Sequence, residues 1–179
     1  MPRYIAFLRA VNVGGRFVKM ADLRAVLVDA GFTDVRTHIQ SGNVHVASTQ
    51  RSPTAVAGRI GSVLGDWAGF AIPAVVRTPS ELASLVAEAD GIPALLPGSG
   101  KRFLALADGP VGEGARAVLD GWAEPDEAAR VLGAAILGEF TTPFHTIRLT
   151  NARIEKITGL TTTWRDLSVV RTVAEKWST

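Results

Sequence analysis

The sequence contains no cysteine among its 179 residues, which excludes disulfide bonds and thiolate chemistry. It also lacks long hydrophobic runs, because charged residues, glycine or proline interrupt each apolar stretch, so no transmembrane helix is predicted. The first residues carry neither the apolar run nor the small-residue cleavage site of a secretory signal. These absences predict a cytoplasmic protein that does not interact with a membrane.

Charge of one sign is not concentrated anywhere in the chain. The net charge is +2, and no block of five like charges indicates a nucleic-acid tail. Lysine supplies four of the 19 basic residues and arginine the others. Arginine can pair in a bidentate manner with carboxylate or phosphate, but scattered arginines are more often solvated surface charges.

Common catalytic motifs are missing as well. The chain has no G-x-S-x-G nucleophile elbow and no H-E-x-x-H zinc motif. Most Asp and Glu residues fall at the ends or on the exposed faces of predicted helices, where capping and solvation explain them. No metal site is predicted. The catalytic residues, any cofactor and the oligomeric state stay unknown, and the sequence leaves open whether the protein is an enzyme.

The first half of the chain alternates strands and helices in the order β-α-β-β-α-β. Period-two alternation and apolar runs predict the strands, and apolar residues at helical spacing predict the helices. The strands are Tyr4–Leu8, Val35–Gln40, Val44–Val46 and Pro73–Arg77, and the helices lie around Leu23–Ala30 and Pro53–Trp67. Ser52 is expected to cap the second helix, and Thr78 to Glu81 predict a capping box for a third. This order is typical of a ferredoxin-like plait (split βαβ) in the α+β class.

The second half has a similar but less regular order. A strand at Phe103–Ala107 and a short helix near Trp122 precede a hairpin around Gly133, and helices follow at about 150–158 and 168–177. The glycine- and proline-rich stretch 91–100 is predicted to be a linker. We therefore expect two ferredoxin-like modules in tandem: residues 1–90 including a linking helix, and residues 100–179 including a terminal helix.

Two tight turns are predicted to meet at one edge of the first sheet. In a split βαβ plait the first two strands run parallel, with the third antiparallel between them, so the turns that follow them lie together. The first helix also begins at this edge, with free N–H groups that favour an anion. Each turn by itself is better explained by the backbone conformations that glycine permits, and it is their predicted convergence that favours a ligand site. The predicted ligand-binding residues are Asn12, Gly14, Gly15, Arg16, Lys19, Gln40, Ser41, Gly42 and Asn43.

A polar face is predicted on the second and third strands. If Gly42-Asn43 forms a two-residue hairpin turn, Gln40 faces His45, with His38 and Arg36 on the same face. This face could hold a proton-transfer pair, a two-histidine metal site or an anion. Without a carboxylate on these strands a metal set is incomplete. The face could equally be solvated, or covered by the second module.

Three stretches carry a family pattern. They are Leu8–Gly15 with Met20 and Leu23, then Gly31–Thr37 running into Ile39–Val44, and lastly Leu149–Asn151 with Glu155, Lys156, Gly159 and Thr163–Asp166. Together they resemble the bacterial domain-of-unknown-function family 1697. The resemblance implies a two-plait α/β architecture and no established activity.

The third stretch departs from the family pattern. Ile147-Arg148-Leu149 stands where members usually show Ser-Lys-Leu, and Arg165-Asp166-Leu167 stands where many show Arg-Asn-Trp. Two interpretations stay open: the changed residues had a chemical role that this chain has lost, or the segment is structural and the changes extend packing.

The leading hypothesis is binding of a small anionic or phosphorylated ligand at the two turns. One alternative is nucleic-acid binding on the open sheet face, although the aromatic residues that stack bases in RNA-binding plaits are missing from the third strand. Another is a non-enzymatic interaction or structural module. Residues of second rank for any of these are Arg9, Arg36, His38, His45, Asn151 and Arg165.

Overall fold

The computed structural model describes residues 1–178 and divides the chain into two compact units. The first unit comprises Met1–Leu82 together with the residues from Val173 onward, and the second comprises Ala83–Thr172. Both units are mixed α+β. No helix within residues 1–178 is both long and apolar enough to cross a membrane.

The first unit contains one antiparallel sheet and two helices that follow its strands. Its elements are β1 (Arg3–Leu8), α1 (Met20–Asp29), β2 (Thr33–His38), β3 (Asn43–Ala47), α2 (Pro53–Ala68) and β4 (Ala74–Arg77). The sheet order is β2-β3-β1-β4, with each neighbouring pair antiparallel. Because β3 separates β1 from β2 and is antiparallel to both, those two strands run in the same direction.

One face of this sheet packs against the apolar stripes of α1 and α2. Alternate residues of β1, namely Tyr4, Ala6 and Leu8, belong to this core with Leu23 from α1 and Ile60 from α2. All five are essentially inaccessible to solvent. The period of two in the strand and the helical spacing in α1 and α2 therefore point to the same core.

The two predicted helix caps are confirmed. The Ser52 hydroxyl accepts a hydrogen bond from the Ala55 amide at the start of α2. At the start of α3 (Pro79–Asp90), the Glu81 amide donates to the Thr78 hydroxyl and the Thr78 amide donates to the Glu81 carboxylate, which is a reciprocal capping box.

The second unit repeats the alternation with additional strands. Its elements are β5 (Lys101–Ala107), α4 (Glu113–Asp120), β6 (Ala123–Glu124), β7 (Glu127–Leu132), β8 (Ala135–Phe140), a 3-10 helix (Phe144–Thr146), α5 (Asn151–Thr158) and β9 (Thr162–Asp166). The chain then forms α6 (Leu167–Lys176). The antiparallel sheet has the order β6-β7-β8-β5-β9, and Gly133 lies in the predicted hairpin between β7 and β8.

The expectation that this half ends in helices without a further strand is wrong. Residues Thr162–Asp166 form β9, which pairs with β5 along its whole length. The sequence did not indicate this strand, because a run of threonines that follows a glycine is typical of a loop. In the structure Thr162 and Thr163 are buried.

The expectation that acidic residues are explained by solvation and capping fails for Glu139. This side chain is fully buried and accepts hydrogen bonds from the amides of Leu95, Leu96 and Gly100 and from the Arg102 guanidinium. Burial alone would raise the pKa of Glu139, but these hydrogen bonds outweigh it and hold the pKa below its ordinary value.

A second buried glutamate has a similar role. Glu127 accepts hydrogen bonds from the amides of Arg148 and Leu149 and from the Trp122 indole. Each of the two carboxylates thus fixes a loop that lies far from it in sequence. Their function is architectural.

Candidate functional site

The two predicted turns lie together in the structure. The Asn12 side-chain amide donates a hydrogen bond of 2.6 Å to the Gln40 carbonyl, and the Leu8 amide donates one of 2.8 Å to the Gly42 carbonyl. These bonds join the end of β1 to the end of β2. The parallel course of the two strands therefore brings both turns to one edge of the sheet.

Asn12 is the residue that organises the first turn. Its side-chain oxygen accepts a hydrogen bond from the Val18 backbone amide at 2.8 Å. The backbone amide of Asn12 donates to the Arg16 carbonyl, also at 2.8 Å. Its φ of 57° is in the left-handed region, which asparagine tolerates better than most residues. Gly14 and Gly15 also have positive φ values and form the tip of the turn. Asn12 is thus largely occupied in holding the turn.

The second turn differs from the expected two-residue hairpin. His38 pairs with Asn43, so the loop is the four residues from Ile39 to Gly42, and Asn43 is already the first residue of β3. The buried Asn43 side chain donates to the His38 carbonyl and to the Ser41 hydroxyl. The side chains of Ser41 and Asn43 therefore stabilise the loop.

Next to the joined turns lies a surface depression of about 690 Å³. It is lined by Asn12, Phe17, Val18, Lys19, Met20, Ala21, Arg24 and Gln40. Of the residues predicted from the sequence, only Asn12, Lys19 and Gln40 are in this lining. The predicted residues Gly14, Gly15, Arg16, Ser41 and Gly42 are in the turns and Asn43 begins β3, but none of the six is in the lining. Arg16 instead lies over the Phe70 ring, 5.3 Å from its centroid.

The sequence reasoning missed five lining residues, of which Arg24 and Phe17 carry the chemistry; the others are Val18, Met20 and Ala21. Met20 and Arg24 are four residues apart on α1 and therefore share a helix face, but Met20 is a core residue, so this spacing did not indicate a ligand site. Arg24 Nη1 donates to the Thr37 hydroxyl at 2.6 Å, so its guanidinium is held in position. Phe17 is 82% exposed, which no sequence pattern indicated.

The electrostatics of the depression favour a negative charge. None of the eight lining residues is acidic, and two are cations. Lys19 is exposed and occupies the N-cap of α1, where no side chain caps the helix. The first amides of α1 lack partners inside the helix and carry a partial positive charge. Lys19, Arg24 and the helix terminus therefore act with the same sign, against the charge of Asp22 in the first turn of α1, which is exposed and outside the lining.

The predicted polar sheet face has a different register from the expected one. Arg36, not Gln40, lies opposite His45, and His45 is buried. The Trp177 ring packs on His45 with centroids 5.6 Å apart and approaches the His38 ring at 6.5 Å. Arg36 remains exposed, but His45 cannot face a ligand in solvent.

A carboxylate does lie on these strands, contrary to the expectation. Asp34 is part of β2, and its Oδ2 is 3.7 Å from His45 Nδ1. That nitrogen also lies 2.9 Å from the Asp34 carbonyl, which can only accept, so Nδ1 carries the proton. A hydrogen bond from Arg36 holds the pKa of Asp34 below its ordinary value. Within residues 1–178 no three histidine or acidic residues are grouped as a metal site.

The second-rank residues Asn151 and Arg165 belong to the second unit. Asn151 Oδ1 accepts from the Thr162 hydroxyl at the start of β9. Arg165 Nη1 donates to the Thr163 hydroxyl and the Trp164 carbonyl. Burial lowers the pKa of Arg165 to about 10, which leaves it charged at neutral pH. Arg9 is half-buried in the first unit, where its amide donates to the Pro73 carbonyl.

The joined turns lie in the first two of the three stretches that carry the family pattern. A family model described as "Protein of unknown function (DUF1697)" matches residues 1–136, which include both turns. The chain belongs to this family. The resemblance seen in the sequence is thereby confirmed. No protein with a curated description matches the chain.

A solved structure shows a similar fold to this DUF1697 member. It is that of the conserved bacterial protein SP0830 from Streptococcus pneumoniae, with 20% sequence identity and a TM-score of 0.71. The similarity covers 100% of this chain and 99% of that chain. At this identity the comparison shows the fold alone.

The third stretch of the DUF1697 pattern lies beyond the matched residues, and two of its changed positions are packed, whereas Arg148 is exposed. Ile147 and Leu167 are buried, and the Trp164 indole donates to the Leu149 carbonyl at 3.0 Å. Thr150 caps α5 by accepting from the Arg153 amide. These contacts favour the packing interpretation of Ile147 and Leu167.

We expect Asn12→Ala to lower the free energy of unfolding of this DUF1697 member by about 2 kcal/mol. The substitution removes two hydrogen bonds, leaves the buried Val18 amide without its acceptor and places alanine at positive φ. Asn12→Asp keeps the acceptor for Val18 but loses the donor to Gln40, so its effect should be smaller. Urea unfolding of the three proteins measures this order, and equal stability of Asn12→Ala and wild type would contradict it.

Proposed function

We propose that the protein binds a small anionic ligand that carries a phosphate group, in the depression beside the two joined turns. One observation carries the proposal: Lys19 and Arg24 line a depression in which no lining residue is acidic. Its volume of about 690 Å³ is within the range of small-molecule sites.

The geometry of the cations favours a bound phosphate group over an anion that is attracted by charge alone. Arg24 is held by Thr37 and so presents its guanidinium in a fixed orientation, whereas Lys19 is an exposed and flexible point charge. Planar guanidinium groups match phosphate oxygens in a bidentate manner, and a lysine adds charge without a geometric demand. The open amides at the start of α1 add to the same field.

The alternative functions have less support. A nucleic-acid surface on the sheet would need His45 in solvent, but His45 is buried beneath Trp177. An interaction module that uses the same face retains Asp34, Arg36 and part of His38 as accessible groups, and Asp34 and Arg36 are already paired with each other. We therefore place the ligand at the turns.

We also propose that the two units are tandem ferredoxin-like plaits in a cytoplasmic protein. In the first unit the element order and the sheet order β2-β3-β1-β4 agree with that fold. In the second unit the order β7-β8-β5-β9 repeats the same connectivity, with β6 as an addition at the edge. The SP0830 structure has a similar fold over its whole length.

Calorimetric titration with inorganic phosphate tests the binding proposal. We expect Lys19→Gln and Arg24→Gln each to weaken binding by at least about ten-fold, since one charge-assisted hydrogen bond contributes about 1.5–3 kcal/mol. Arg51→Gln is the matched control, because Arg51 is an exposed cation that directly precedes the N-cap of α2 and does not line the depression. The proposal is wrong if the wild type shows no heat of binding, or if all three substitutions weaken it equally.

A further inference from the structure

Phe17 is the most exposed of the large apolar side chains within residues 1–178 and lines the depression. Burying a phenylalanine side chain contributes about 1.5–3 kcal/mol, so leaving one in water forgoes that stabilisation. Within residues 1–178 its ring makes no aromatic contact. The first unit's core does not use this residue.

The backbone on both sides of Phe17 is fixed. The Arg16 carbonyl accepts from the Asn12 amide, and the Val18 amide donates to the Asn12 side chain. Asn12 thus holds the residue before Phe17 and the residue after it. The aromatic side chain is presented from an anchored segment, so a ligand that uses it orders little additional backbone.

The lining combines this ring with apolar and cationic neighbours. Val18 and Met20 supply buried apolar surface, and Lys19 and Arg24 supply positive charge. A bare phosphate would use the cations and leave the ring and the apolar surface without a function. A ligand with a planar ring at one end and a phosphate at the other would use both kinds of surface.

We infer that the ligand is a nucleoside monophosphate, with the base stacked on Phe17 and the phosphate held by Lys19 and Arg24. This inference rests on the proposed function, because it assumes the anion site and adds the identity of the group attached to the anion. Stacking on an aromatic ring does not distinguish bases strongly, so purine and pyrimidine nucleotides should both bind.

The test compares adenosine monophosphate with ribose 5-phosphate by calorimetry. The sugar phosphate has the anion without the base. We expect the nucleotide to bind about ten-fold more tightly, and Phe17→Ala to remove that advantage while leaving the affinity for ribose 5-phosphate unchanged. Phe17→Trp should restore nucleotide binding. Val28→Ala should have no effect, because Val28 is an exposed apolar residue of α1 that does not line the depression.

Each other outcome overturns a defined part of the account. If the two ligands bind wild type equally, or Phe17→Ala weakens both to the same degree, the nucleotide assignment fails while the anion site stands. If neither ligand binds, both proposals fail. If a single-stranded oligonucleotide binds about ten-fold more tightly than the nucleotide, with the steep salt dependence of several phosphate contacts, the small-molecule assignment is wrong.

Discussion

Replacement of Glu139 by alanine is expected to lower the free energy of unfolding by about 3–5 kcal/mol. The carboxylate is fully buried and is the common acceptor of four hydrogen bonds, three of them from backbone amides of residues 95–100. Its removal leaves those amides and the Arg102 guanidinium without their acceptor. Arg102 also donates to the carbonyls of Ile92 and Pro93, so the loop before β5 loses its anchor.

Glu139→Gln tests how much the negative charge contributes to stability, because glutamine has nearly the same shape as glutamate. The pKa of Glu139 is lower in the folded protein than its ordinary value of 4.5. The ionised carboxylate therefore stabilises the fold at pH values above 4.5, and this stabilisation is lost as the pH falls through the folded-state pKa. Below about pH 4 the stability of wild type should therefore decline more steeply than that of Glu139→Gln. Urea unfolding of both proteins as a function of pH measures the difference.

Two results would contradict this role of Glu139. One is a Glu139→Ala protein within about 1 kcal/mol of wild type, the range of ordinary surface substitutions. The other is an identical pH dependence for wild type and Glu139→Gln. A suitable control is Glu113→Ala, because Glu113 is an exposed residue in the first turn of α4.

The second large effect is expected for Gly42→Ala, at about 2–5 kcal/mol of lost stability. Gly42 has a φ of 80°, which costs an L-residue about 1–2 kcal/mol. A Cβ at this position would also lie 2.9 Å from the Leu8 Cβ, so β1 or the loop must shift, and such overpacking costs about 1–3 kcal/mol. The Leu8 amide to Gly42 carbonyl hydrogen bond that joins the two turns would be strained as well.

Gly14→Ala is the matched control for Gly42→Ala. Gly14 has a positive φ of 58°, but a Cβ there would meet no atom within 4 Å. Gly14→Ala should therefore lower the free energy of unfolding by only the cost of the positive φ, about 1–2 kcal/mol. Denaturant unfolding of the two variants would contradict the account if Gly14→Ala were the less stable one, because the contact with Leu8 would then have no measurable cost.

The meeting of the two turns could be predicted from the order of the elements. A β-α-β-β-α-β order leaves few topologies, and the parallel course of β1 and β2 follows from β3 lying between them. The pairing of His38 with Asn43 could not be predicted as safely. Gly42-Asn43 is a strong two-residue turn signal, but the Asn43 side chain reaches back to the His38 carbonyl and favours the longer loop.

The chemistry of individual side chains was the least predictable part of the site. Asn12 and Gly14 have sequence signals for unusual backbone conformations, and the same signals suggest either a turn or a ligand site. The orientation of Arg24 depends on Thr37, which follows it in sequence by 13 residues. The burial of Glu139 depends on amides about 40 residues earlier in the chain. Such long-range contacts leave no local pattern.

Titration of the isotope-labelled protein with inorganic phosphate, followed through its amide resonances, tests the central claim most directly. The account predicts saturable shifts for the first amides of α1, at Met20 and Ala21, and for Gln40, with weaker binding in Arg24→Gln. Amides at the start of α2, where Ser52 already caps the helix, should not respond. An absence of shifts, or shifts centred on α2 instead of α1, would contradict the account.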